Sequence, residues 1–147
     1  MDQPVADLNQ LLRTMEPVLN EGVWVYALLP AGTDPGALEP AVTVREPEGL
    51  TVVVPEGTAQ AHGLAILFRA AWITLRVHSD LEAVGLTAAF AGELGRAGIS
   101  CNVVAGACHD HLFVPADQAG AAVEALRALQ RRSWRPGSAP DRPPGHA

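Results

Sequence analysis

The sequence predicts an α+β fold made of two similar halves, each a small antiparallel sheet with helices on one face. Two observations carry this. Apolar spacing switches repeatedly between the period of two expected of strands and the period near 3.6 expected of helices. The pattern also recurs: Val54-Pro55-Glu56 followed by Ala59 and Ala61 mirrors Val114-Pro115-Ala116-Asp117 followed by Ala119 and Ala121, and Val23–Leu29 mirrors Trp72–His78. With 147 residues, 48% hydrophobic and 18% charged, the chain has enough apolar material for a packed core. Either half alone would bury too little, so the two are expected to pack together.

Leu8, Leu11, Leu12 and Met15 share one helical face within residues 5–18, with Asp7 in the first turn and Pro17 ending or kinking the helix. Asn20-Glu21-Gly22 turns the chain into the β-rich run Val23–Leu29, stopped by Pro30. Ala31 to Pro40 reads as a loop, with Gly32, Asp34, Pro35 and Gly36. Val42–Arg45 and Leu50–Val54 are strands joined by a turn, a short helix opens at Pro55-Glu56, and Leu64–Phe68 is extended. This half lacks a helix after its first strand, and the helix ahead of that strand is expected to fill the gap.

The second half is organised around Trp72–Phe90. Ile73, Leu75 and Val77 alternate with polar neighbours, Ser79–Glu82 breaks the alternation, and Leu86, Ala89, Phe90 and Leu94 form a helical face. Gly85 sits where this helix begins, and the free amide N–H groups of a helix start suit a carboxylate or phosphate. Gly98 is placed as a left-handed C-cap. Strands follow at Ile99–Ala105 and His111–Val114, then a helix from Asp117 with Ala122, Val123, Leu126 and Leu129 inward. The expected boundaries are 1–69 for the first half, 70–130 for the second, and a disordered Pro/Gly/Arg tail over 131–147 in which Trp134 folds back on the body.

The formal net charge of −6 argues against a nucleic-acid binder, which would carry a basic stripe. No apolar run reaches a membrane span and the start has no basic signal-peptide region, so a cytoplasmic location is expected. Cys101 and Cys108 are expected to be buried thiols rather than a disulfide. No GxSxG elbow, P-loop or GxGxxG motif is present, so an enzyme is not expected and no cofactor is implied. His109, Asp110 and His111, with the cysteines and His78, could hold a metal, but no zinc-ligand spacing is matched. They read instead as a polar hairpin turn.

The stretches VHSDLEAVGLTA (Val77–Ala88), ISCNVVAG (Ile99–Gly106), HDHLFVP (His109–Pro115) and EGLTVVVP (Glu48–Pro55) together resemble the small stand-alone bacterial proteins with two tandem ACT-like halves. The resemblance reaches to about Leu129. It implies ferredoxin-like βαββαβ halves, a regulatory or sensor protein without catalysis, an amino-acid ligand, and homodimer formation through the sheets. It also implies a site at the turn before the central helix. There His78, Asp80, Val84, Gly85 and the amides of Leu86 and Thr87 would meet the ligand, with Asp80 taking its ammonium group. Cys101, Asn102 and Val103 would stand directly beside that turn at the start of the next strand. A rival reading keeps the fold as a ligand-free interaction module, and a third makes the protein a metal- or thiol-site enzyme.

Overall fold

The computed structural model describes residues 8–77 and 84–133. Four helices are present among them: α1 (Leu8–Thr14), α2 (Glu56–Ala61), α3 (Leu86–Arg96) and α4 (Ala119–Ser133). The strands are β1 (Glu16–Leu19), β2 (Trp24–Leu29), β3 (Val42–Glu46), β4 (Gly49–Pro55), β5 (Phe68–Arg76), β6 (Asn102–Ala105) and β7 (Asp110–Pro115). Short 3-10 turns occupy Gly36–Leu38 and Ala116–Gln118.

All seven strands join one antiparallel sheet in the order β3-β4-β2-β5-β7-β6, with β1 also on β5. The halves therefore do not own separate sheets. On one edge β5 pairs with β7 from Ala70 to Leu75. Its other edge is divided: Phe68–Ala70 pair with β2, and Ile73–Arg76 pair with β1. Strand β5 thus closes the first half (β5-β2-β4-β3) and opens the second (β1-β5-β7-β6). Both have the ferredoxin-like order of fourth, first, third, second strand.

The fourth strand of the second half comes from the chain's own N-terminal segment. Pro17 does not end a helix that reaches it; α1 stops at Thr14 and Pro17 lies within β1. Proline is tolerated there because β1 is an edge strand. Gln130 on α4 holds the junction, its amide donating to the carbonyls of Arg13 (2.9 Å) and Met15 (2.6 Å).

Alternation along the strands sorts residues between two faces. On the helix face of the second half, Ile73, Leu75, Leu112 and Val114 pack against Leu11 of α1, Leu86, Phe90 and Leu94 of α3, and Leu126 of α4. The spacing of Leu86, Phe90 and Leu94 puts one helical stripe into the core, and each such side chain contributes about 2 kcal/mol when fully buried. The first half has a smaller helix-face cluster: Val25, Ala27, Leu29, Val52 and Val54, under Ala59 of α2. The opposite face of the sheet carries a third cluster made of strand residues alone, with Val53, Ala70 and Phe113 buried beneath Trp24, Tyr26, Phe68 and Trp72.

The helix ahead of the first strand does not fill the gap in the first half, because α1 packs on α3 and α4. Helix α4 runs three residues past Gln130, its Arg132 pairing with Glu93 at 2.6 Å. Trp134 and the rest of the tail lie outside the described residues.

Candidate functional site

Gly85 is the N-cap of α3 at φ 102°, a left-handed conformation that side chains rarely adopt. The space beside it belongs to α1: a Cβ on Gly85 would stand 3.3 Å from Leu8 Cδ2. A side chain there would meet a residue that packs on the core. Of the neighbouring candidates, Val84 and Thr87 are exposed while Leu86 is buried. His78 and Asp80 lie outside the described residues.

Asn102 is not beside this turn. Strand β6 runs in the same direction as β5, and its first residue faces Phe113, which pairs with Trp72. From Trp72 to the end of β5 is four residues, or about 13 Å of strand. The Asn102 amide donates to the Phe113 carbonyl at 3.3 Å. Val103 and Cys101 pack against the helix-face core. Burial pushes the Cys101 thiol up to about 11, so it is no nucleophile at neutral pH. Cys108 is exposed, not buried as expected, and both cysteines are free. What does stand near the end of β5 is the β6–β7 hairpin, where Asp110 pairs with Leu75.

From that hairpin His111 joins a polar cluster on the open face, opposite Thr74 of β5. Trp72 Nε1–H donates to His111 Nδ1 at 3.1 Å, and the Thr74 hydroxyl lies 3.2 Å from the same nitrogen. An indole N–H can only donate, so Nδ1 is the acceptor and the imidazole is neutral with its proton on Nε2. The Asn20 amide continues the chain of bonds, donating to Thr74 Oγ1 (2.9 Å) and the Trp72 carbonyl (3.1 Å). Burial lowers the His111 pKa and raises that of Asp110. His109 Nδ1 is buried without a partner among the described residues. Those residues hold no group of three or more His, Cys, Asp or Glu that could bind a metal.

A cleft of ≈ 690 Å³ opens in the first half between the loop Ala31–Pro35 and the β3–β4 hairpin, with Thr43, Arg45, Glu46, Gly49 and Leu50 on the hairpin side. Its origin is topological. The loop after β2 holds the place that α3 holds after β5, but it folds only as the turn Gly36–Leu38. Just ahead of that turn the Asp34 carboxylate accepts from the Gly36 amide at 2.9 Å, and the Thr33 hydroxyl donates to the Pro30 carbonyl at 2.6 Å. The helix face at the tip of β3 and β4 is therefore uncovered, and Thr43 and Arg45 project from it. Among the described residues no carboxylate pairs with Arg45. Glu46 accepts from the Thr51 hydroxyl. A guanidinium and hydroxyls beside apolar Ala31, Pro35 and Leu50 suit a small carboxylate with an apolar part. Sequence reasoning found the missing helix but not this consequence of it.

Models of the ACT domain match residues 3–71 and 68–128, meeting at the start of β5. Among solved structures, a Vibrio cholerae protein of unknown function, described as a possible transport protein, is 47% identical; the match covers 84% of this chain and 95% of that one, with a TM-score of 0.76. An Agrobacterium tumefaciens protein is similar in fold at 16% identity, covering 79% and 89%, TM-score 0.64. The ligand-free regulatory subunit of aspartate kinase from Thermus thermophilus is similar in fold at 13% identity, covering 80% and 97%, TM-score 0.62. No curated protein matches the chain.

Proposed function

Because the chain belongs to the ACT-domain family, with two tandem copies of the domain, we propose that it is a non-catalytic regulatory protein that binds a free amino acid in the first-half cleft. The observation that carries this reading is Arg45, a cation without an ionic partner among the described residues, standing over a preformed hollow. Arg45 takes the ligand carboxylate, and Leu50 with Pro35 a short apolar side chain. A regulatory chain needs no catalytic groups, and the fold of an aspartate kinase regulatory subunit, matched over 97% of its length, supports a stand-alone module of this kind.

The turn before α3 is the second half's counterpart of the cleft loop. His78, Asp80 and Val84–Thr87 form a second place for ligand in this reading, whereas Cys101, Asn102 and Val103 contribute to neither place within one chain. No helix among the described residues is long and apolar enough to cross a membrane. The protein acts in the cytoplasm, as a homodimer.

A thermal-shift screen of the amino acids tests the site. A ligand at about a hundred times its dissociation constant adds roughly 2.7 kcal/mol of stability. Arg45→Ala should abolish that gain while leaving the unliganded melting point in place, since Arg45 is exposed. A ligand whose effect survives Arg45→Ala but is lost in Asp80→Ala would move the site to the turn before α3.

A further inference from the structure

We propose that the helix-free face of the sheet is where a second copy of this chain packs, face to face, so that the dimer is a sandwich of two sheets. The inference rests on the homodimer reading above and names its surface.

The face is built from successive cross-strand rows. At one end Val44, Thr51 and Leu28 stand side by side on β3, β4 and β2. The next row is Val42, Val53, Tyr26 and Phe68. Beyond it come Trp24 edge-on to Trp72 at 4.7 Å, then Trp72 stacked on Phe113 at 5.9 Å. Every member of the apolar cluster on this face belongs to a strand; no described helix lies over it.

Exposure is concentrated at the first end. Leu28 and Val44, neighbours across Thr51 on this face, are each 47% exposed. Large apolar side chains gathered at one place on a surface mark an interaction site, in contrast to scattered ones.

Charge and area point to a second copy as the occupant. The chain carries −6 overall, so identical molecules repel except where a face is neutral. From the Val44 row to the His111 row this face holds no Asp, Glu or Arg; Glu46 stands beyond one end and the Glu16–Arg76 pair beyond the other. An uncharged apolar face is complementary to itself, as a two-fold interface requires. Four strands by about ten residues span roughly 600 Å² of flat sheet. Side-chain relief brings this near the roughly 800 Å² that each partner gives to a stable interface.

The test uses the full chain. Light scattering at micromolar concentration should report a dimer, and the double variant Leu28→Arg, Val44→Arg should be a monomer with the parent's far-UV spectrum. A parent that is monomeric overturns both the dimer reading and this one. A dimer that survives the double variant in folded form keeps the dimer reading and overturns the face. Independently of any change on the face, acrylamide quenching in a Trp134→Phe background reads Trp24 and Trp72 alone. Quenching should rise as the dimer dissociates on dilution. Tryptophans equally quenched throughout that dissociation overturn the proposal, and a monomer with shielded tryptophans points to a different occupant of the face.

Discussion

The tie between the N-terminal segment and the second half can be broken at Asn20. Its amide makes two hydrogen bonds across to β5, one to Thr74 Oγ1 at 2.9 Å and one to the Trp72 carbonyl at 3.1 Å. The Trp72 carbonyl keeps a second donor after Asn20→Ala, because the Asn20 backbone amide also bonds it at 2.8 Å. The loss is therefore one bond to a half-satisfied hydroxyl and one shared bond. At about 0.5–1.5 kcal/mol per bond, the variant should be less stable by about 1–2 kcal/mol. For a body of this size that corresponds to a fall in melting temperature of roughly 3–8 °C.

Thr74→Val removes the hydroxyl that Asn20 and His111 share. In a double-mutant cycle measured by urea denaturation, the Asn20–Thr74 coupling should be roughly 0.5–1 kcal/mol, above the about 0.3–0.5 kcal/mol scatter of independent sites. Strand β1 would then be a working fourth strand of the second half. Additive single effects, or an Asn20→Ala variant within about 0.5 kcal/mol of the parent, would refute the claim that this bond chain fastens β1 to β5.

Because β5 belongs to both halves, urea unfolding followed by tryptophan fluorescence and by far-UV circular dichroism should give one coincident transition, not two. Gly85→Val should destabilise the protein by about 1–3 kcal/mol with no ligand present, through its left-handed backbone and the contact with Leu8, read as a lower melting temperature. The His111 pKa is lowered on folding, so its contribution is complete above the ordinary histidine value and declines as the pH falls through it. Melting temperature should therefore drop from about pH 7 to about pH 5.5, and His111→Gln should flatten that slope. Asp110 acts with the opposite sign, its raised pKa adding stability on further acidification.

The strands and helices that alternate cleanly were legible in the sequence. Leu86, Phe90 and Leu94 on one helical stripe, the left-handed Gly98 (φ 75°) after α3, and the opening of α2 at Glu56 are local properties of the chain. Strand β1 was not legible. Four residues containing Pro17 carry no alternation, and their extended form comes from pairing with β5 at a separation of more than fifty residues. The position of Asn102 was missed for a related reason. Strand starts are set by register, and β6 begins opposite Phe113 rather than at the level of the turn. The cleft residues Thr43 and Arg45 lie on a strand whose outward exposure follows from a helix that is absent, and an absent element leaves no pattern in the residues beside it.

The uneven sharing of helices explains how that absence is tolerated. Three helices, α1, α3 and α4, cover the second half, while α2 alone covers the first. A free-standing sheet with one six-residue helix would bury too little to fold. Here β2 and β4 lie inside a seven-stranded sheet: β4 pairs with β2 along Leu50–Pro55 and with β3 along Gly49–Val53, and β2 also meets β5 along Trp24–Tyr26, so most of their backbone groups are paired whatever lies above them. Val25, Val52 and Val54 remain fully buried under α2 and the loop residues Leu38 and Leu64. On the helix face the tip of the β3–β4 hairpin is left without cover, and there the side chains are Thr43 and Arg45, which water or a polar ligand can satisfy. The second half, with its core closed by α1 against Gly85, serves as the scaffold; the first keeps the hollow.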